Sequence, residues 1–328
     1  MSALRGFWSS CVRWAREFSR ITPYRAAWLL FAAFFLAVPF VPLLKARLFF
    51  FMLMLEWIAM AESFNIISGF TGYVCFGFPA FYGVGAVLMA WAVGELGLHP
   101  AVGFLMAVGG AILMAFVMGG PSLRLRGAYF AICSLAICLA MSVIMAWLKP
   151  FGIFIPPNPK IFRLVEKICY YIVAFTAFGT VLGTYILSKS KLGLALVAIR
   201  EDEDAAETRG VNTTFYKLVA VIISGIPPAI IGAAIAWYST YVDCVAVFEL
   251  HRVVATIAMA MLGGSGTVLG PLIGAIILYA VEDFLWANFP YLYLPIFGAI
   301  IVITVLFVPQ GIVGMVREKV PKARKYLF

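Results

Sequence analysis

Two carboxylates, Glu56 and Glu62, lie inside the apolar run 48–68. An ionised side chain is expensive there and marks a polar interior, an ion path or a bond to a neighbouring helix. Six residues apart, they project about 120° from one another on a helix and so do not form one paired site. A protonated or hydrogen-bonded structural acid fits the same spacing. Glu282 and Asp283 close another apolar run and are expected to face solvent. The only histidines, His99 and His251, lie far apart without metal-ligand spacing. Cys11, Cys75, Cys133, Cys138, Cys169 and Cys244 are scattered and form no C-x-x-C pair, so they read as small membrane residues rather than a disulfide framework. The sequence contains no G-x-x-x-x-G-K-[ST], H-E-x-x-H or G-x-S-x-G, and ATP hydrolysis, zinc proteolysis and elbow-type acyl transfer lack their signatures. A non-catalytic chain is expected, binding no cofactor or metal of its own and drawing any energy it uses from another chain.

Glycine and proline interrupt the apolar runs twice. The first interruption carries Gly69, Gly72, Cys75, Gly77, Phe78 and Pro79; the second carries Gly263, Gly266, Gly270 and Pro271. Each has Gly-x-x-Gly after an apolar run and then a proline near the start of a new helix, where its missing N–H does no harm. This is a weak internal repeat. Irregular backbone at membrane depth survives only where protein or a watery cavity covers it, and paired breaks in two halves point to a substrate pathway, with Glu62 beside it. Close helix packing through small residues is the competing reading.

These residues must be positioned by membrane helices. Hydrophobic residues make up 64% of the 328 and charged ones 12%, and the mean hydropathy is +1.03, too apolar for a soluble domain. The runs are continuously apolar rather than alternating, so an all-α polytopic bundle is expected instead of a barrel. Candidate spans fall at 26–44, 48–68, 74–93, 101–118, 128–148, 168–187, 218–239, 253–262, 271–287 and 295–308, with 253–262 the weakest. Eight to ten crossings are therefore expected, several of them broken. The run 26–44 follows five arginines but lacks a cleavage pattern and reads as an uncleaved first span.

The net charge of +9 sits in short segments flanking the apolar runs, which points to anionic lipid rather than nucleic acid. With both termini cytoplasmic, the basic residues concentrate on the inner side, as topology requires. This divides the chain into a basic cytoplasmic segment 1–25, a transmembrane domain 26–308 with a cytoplasmic loop 188–217, and a basic cytoplasmic tail 309–328.

The loop 188–217 is the most charged stretch. Leu196 and Ile199 recur at helical spacing with Leu192, followed by Arg200 and by the acids Glu201, Asp202, Glu203, Asp204 and Glu207, with Gly210 placed as a helix-ending C′ residue. Asn212 or Thr213 can cap the next membrane helix. A short amphipathic helix on the cytoplasmic face is expected. Its acid cluster opposes anionic headgroups and favours a protein partner over lipid.

Asp204-Ala205-Ala206-x-x-x-Gly210 is close to the E-A-A-x-x-x-G core of the cytoplasmic loop of bacterial ABC importer permeases. The longer run from Gly193 to Val211 with Lys217 downstream resembles the branched-chain amino-acid (Liv-type) permease family, as do Leu123–Ile132, Gly263–Ala275 and Leu306–Gly314. The blocks look most like the larger M-type subunit. The resemblance implies a heteromeric importer of branched-chain amino acids or related small polar solutes in the inner membrane. This chain would pair with a second permease, two cytoplasmic ATPases would use ATP and Mg, and a periplasmic binding protein would deliver substrate. It further implies that the region around Leu196, Ile199, Arg200, Glu201, Glu203, Asp204, Ala205, Ala206 and Gly210 is the helix that couples to an ATPase. Cys75 and Phe78 stand where the family usually carries polar residues, with Pro79 in a small-residue place, which leaves urea, short amides or aromatic acids open as substrates. An ion-coupled secondary transporter, using Glu56 and Glu62, is the rival of a different class.

Overall fold

The computed structural model describes residues 34–35, 37–41, 47–123, 125–149, 151–156, 162–307 and 311–319. Within them the chain forms twelve α-helices: α1 Leu48–Thr71, α2 Pro79–Ala90, α3 Pro100–Ser122, α4 Ala128–Leu148, α5 Phe162–Ser188, α6 Lys191–Glu201, α7 Glu203–Thr208, α8 Thr213–Ser239, α9 Leu250–Gly263, α10 Gly270–Asn288, α11 Tyr293–Phe307 and α12 Gly311–Lys319. A π-helical turn, Trp91–Glu95, extends α2. Two short strands, β1 Ile153–Phe154 and β2 Tyr241–Val242, pair antiparallel.

Among the described residues, seven helical stretches are long and apolar enough to cross a membrane. The α1 helix, at 24 residues, is about 36 Å long, enough for a hydrocarbon core of about 30 Å. The chain is a multi-pass membrane protein with an all-α bundle, as its apolar runs predict. Most spans lie within a few residues of their sequence positions. Of the expected span 26–44 only residues 34–35 and 37–41 are among those described; segment 1–25 and the end of the tail lie outside them. The span expected at 74–93 begins instead at Pro79, because residues 72–78 form an irregular connection.

Contacts between connections show that the helices run alternately up and down. At one end the Arg126 guanidinium meets Asp204 of α7 at 2.8 Å. There too, the first residue of α12 lies so close to the α9–α10 connection that a Cβ on Gly311 would lie 2.3 Å from the Gly264 Cα. At the other end Ile153 and Phe154 pair with Val242 and Tyr241, and Lys149 pairs with Glu95. The bundle thus has an α6–α7 end and a β1–β2 end.

Helix α1 is the axis of the packing: 83% of its most apolar window is buried, against 17% for the peripheral α4. It touches α5, α8, α9 and α10. The close crossing of α2 and α8 depends on small residues: a Cβ on Gly85 would lie 2.1 Å from the Ala229 carbonyl oxygen, and one on Gly232 would lie 2.2 Å from that of Tyr82. Small residues let membrane helices approach this closely. Pro227 and Pro228 interrupt the hydrogen-bond ladder midway along α8.

Candidate functional site

The stretch expected to be one amphipathic helix is two. Asp202 is extended, with φ −160° and ψ 111°, and its carboxylate accepts a hydrogen bond from the Ala205 N–H at 3.0 Å, starting α7 while α6 ends. Ser190 caps α6 through the Gly193 N–H at 3.1 Å, and Asn212 caps α8 through the Phe215 N–H at 3.0 Å. Gly210 takes φ +85° just beyond α7, in the place its sequence position gave it.

The α6–α7 pair has two faces. Leu196, Ile199 and Ala206 are buried against the bundle, whereas Leu194, Val197, Arg200, Glu201, Asp202, Asp204, Ala205, Glu207 and Gly210 are exposed. Leu196, with Ile66, Phe70, Leu187 and Ala220, forms a small apolar cluster that seats α6 on α1, α5 and α8. Periodicity identified the apolar stripe correctly, and that stripe faces the bundle. A partner would meet the other side.

Glu203 also faces inward. Its carboxylate accepts hydrogen bonds from the Lys217 ammonium and the Tyr73 hydroxyl, and the Lys217 ammonium lies 4.5 Å from the Tyr73 ring centroid. Burial pushes the Glu203 carboxyl upward, but these hydrogen bonds and the nearby charges outweigh it and hold the group below the usual carboxylate range. The Tyr73 hydroxyl is raised, first by burial and then by its bond to Glu203. Asp204, one residue on, points to solvent, and its hydrogen bond from Arg126 lowers its carboxyl.

Arg200 joins the α6–α7 pair to both glycine breaks. Its Nη1 donates to the Gly69 carbonyl oxygen at 2.8 Å. A Cβ on Gly266 would lie 2.7 Å from the same nitrogen. Gly72 ends α1 at φ +75°, a conformation glycine adopts without strain, and a Cβ there would lie 3.2 Å from the Arg200 Cγ. Asn65 completes the junction: its side-chain amide donates to the Thr267 carbonyl oxygen at 2.8 Å, and its Oδ1 accepts from the Gly266 N–H at 2.7 Å. Gly69 lies one turn beyond Asn65, where a Cβ would come within 2.5 Å of the Gly266 nitrogen. The two breaks that looked like a repeat therefore pack on one another, beneath α6.

The other candidate residues are closely packed. Gly263 and Gly270 face each other so tightly that a Cβ on Gly263 would lie 1.7 Å from the Gly270 carbonyl oxygen. A Cβ on Gly77 would lie 2.3 Å from the Ser134 carbonyl oxygen. The Cys75 Sγ lies 3.5 Å from the Met118 Sδ, and the buried Phe78 ring packs edge-on to Phe64 at 5.8 Å. Protein covers both breaks in this conformation.

Glu62 is fully buried. The Thr184 hydroxyl, the Leu272 N–H in the first turn of α10 and the Asn65 side chain surround it, but neither carboxyl oxygen is in hydrogen-bond geometry with a described residue. The positive end of α10 offsets part of the cost of such a group. Glu62, Asn65 and Gly69 share one α1 face at helical spacing, and that spacing is the sequence signal that singles out Asn65.

Glu56 belongs to a separate cluster nearer the β1–β2 end. It pairs with Arg252 of α9, whose guanidinium carbon lies 4.0 Å from the Tyr82 ring centroid. Glu282 corrects the expectation of a solvent-facing acid: its side chain is 14% exposed and meets the His251 Nε2 at 2.9 Å. Helix α10 runs on to Asn288, so Glu282 lies within the span rather than at its end. Asp283 is exposed, as expected.

Comparison with known proteins agrees with this architecture. The family described as the permease component of the branched-chain amino acid transport system matches residues 46–305. The high-affinity branched-chain amino acid transport system permease proteins LivM of Salmonella typhimurium strain LT2 and Escherichia coli strain K12 are each 25% identical over 301 residues, covering 80% of this chain and 69% of theirs. A match that runs from just before α1 into α11 makes this chain a member of the branched-chain amino acid transport permease family.

Proposed function

We propose that the chain is a non-catalytic membrane subunit of an ATP-binding cassette importer in the inner membrane, carrying branched-chain amino acids or related small polar solutes. It pairs with a second permease, takes substrate from a periplasmic binding protein and is driven by two cytoplasmic ATPases that use ATP and Mg. The observation that carries this reading is the Arg200 junction, where a helix pair with a solvent-facing outer side is bonded to both breaks in the bundle.

In this mechanism the α6–α7 end is cytoplasmic, as are both termini, in keeping with the basic residues Arg126, Lys189, Lys191, Arg200, Arg209 and Lys217 on or beside its connections. The exposed face of α6–α7, with Glu201, Asp204 and Ala205, docks on an ATPase. Closure of the ATPase pair displaces α6, and Arg200 carries that displacement to Gly69, Gly72 and Gly266. The two breaks line the cytoplasmic mouth of the substrate route, with Glu62 beside them and Cys75, Gly77, Phe78, Gly263 and Gly270 supplying the packing that closes it. The switch needs only that ATPase contacts favour one of two arrangements of the bundle. Similarity to the LivM proteins supports branched-chain amino acids as substrate over urea, short amides or aromatic acids.

The test is uptake of radiolabelled leucine by proteoliposomes containing the chain, its partner permease and ATPases, and the binding protein. Uptake is expected to require ATP. Uptake that persists without the ATPases and collapses with the ion gradient would establish a secondary transporter instead.

A further inference from the structure

The coupling route leaves Glu56, His251, Arg252 and Glu282 without a role. They come from three helices, α1, α9 and α10, and meet inside the membrane-spanning part of the bundle. Glu56 lies eight residues into α1 from its β1–β2 end, about 12 Å along the helix.

The cluster is charged on both sides and incompletely satisfied. Glu56 is 2% exposed and occupies one nitrogen of Arg252. A guanidinium offers five N–H donors, so Arg252 has others to give, and one of its faces is covered by Tyr82. Below His251, Glu282 uses Oε1 for the imidazole, while its Oε2 is buried with no hydrogen-bond partner among the described residues. Buried carboxylate oxygens are ordinarily paired. Arg252 and His251 keep 24% and 25% of their side chains accessible. Arginines at this depth ordinarily face water or the bundle interior rather than lipid, which makes that accessible side the approach a polar ligand would take.

Unused cationic donors beside an unpaired acid are the complement of a molecule bearing one carboxylate and one ammonium. We propose that these four residues form a binding station for a zwitterionic α-amino acid on the β1–β2 side of the bundle, with Arg252 receiving the carboxylate and Glu282 the ammonium. Glu56 orients the guanidinium and His251 orients Glu282. Substrate released at that end would be held by both its charges before passing towards the breaks near Arg200. This inference rests on the reading of the chain as an amino-acid permease.

The test is equilibrium binding of tritiated leucine to the purified complex of this chain with its partner permease and ATPases, without the binding protein. Saturable binding is expected, displaced by unlabelled leucine and at least tenfold less well by isocaproate, which lacks the ammonium, and by isoamylamine, which lacks the carboxylate. Glu282→Gln and Arg252→Lys are each expected to weaken binding at least tenfold in complexes that elute intact. Unchanged affinity in both variants, or equal displacement by leucine and the two analogues, would overturn the station. Displacement is measured on the unaltered chain, so the inference remains falsifiable if a variant fails to assemble. ATP-dependent uptake by the same complex, reconstituted in proteoliposomes with the binding protein added, separates the two readings. Uptake without saturable binding overturns the station alone, whereas an intact complex that takes up no amino acid overturns the proposed function and the station together.

Discussion

At the scale of single residues, adjacent acids do different work. Glu203 is held under the bundle by Lys217 and Tyr73, whereas Asp204 lies on the outer face with Arg126. Lys217 is 3% exposed, so Lys217→Met leaves Glu203 only the longer ion pair with Arg126 at 4.0 Å and should destabilise the protein by about 3 kcal/mol, the lower end for a broken buried pair because Tyr73 still donates. Asp204→Asn should leave the melting temperature unchanged. The carboxyl of Glu203 is depressed in the folded protein, so its stabilisation is fully present above the ordinary carboxylate range and is lost only as the pH falls below that range, through the lowered folded value. The melting temperatures of wild type and Glu203→Gln should differ at pH 7 and converge only on acidification below the ordinary carboxylate range, as thermal unfolding in detergent would record. A gap that widens on acidification would contradict the Glu203 assignment. The sequence offered five acids in a row of seven residues and no means of ranking them, because the partner of Glu203 lies fourteen residues away on another helix.

At the scale of elements, the two breaks and α6 form one joint. Gly69→Ala would drive a Cβ against the Asn65 Oδ1 and the Gly266 nitrogen, whereas Gly179 in α5 is exposed and a Cβ there would meet nothing within 4 Å. Gly69→Ala is therefore expected to lower the melting temperature and abolish uptake. Gly179→Ala should be neutral or stabilising by up to about 1 kcal/mol, the helix cost of glycine. Equal melting temperatures and equal uptake for the two variants would remove the joint. The helices were legible in the sequence because long apolar runs can do little else in lipid. The apolar stripe Leu192, Leu196 and Ile199 was legible too. What escaped was reach: Arg200 crosses to a carbonyl 131 residues earlier, and Asn65 to a loop about two hundred residues later. A backbone carbonyl leaves no residue-type signal, and no periodicity registers a contact at that separation.

At the scale of the molecule, the chain is a bundle with two unlike ends. The α6–α7 end gathers exposed charge on a helix pair, and the β1–β2 end carries a small ladder with the Glu56, Arg252, His251 and Glu282 cluster below it. If the α6–α7 end is cytoplasmic, a cysteine replacing exposed Arg209 should react with an impermeant maleimide only after cells are permeabilised. A cysteine replacing exposed Tyr291, at the α10–α11 connection, should react in intact cells. The reverse pattern would invert the topology.

The central claim is that the outer face of α6–α7 receives an ATPase. Leu194 and Ala205 are exposed on that face and make no side-chain bond to the bundle that their replacement would break. The direct measurement is the amount of ATPase that co-purifies with the membrane-inserted Leu194→Glu, Ala205→Arg double variant, together with its ATP-dependent leucine uptake. A docking face predicts wild-type insertion, at least a tenfold loss of bound ATPase and no uptake; ATPase recruitment and uptake at wild-type levels would contradict it.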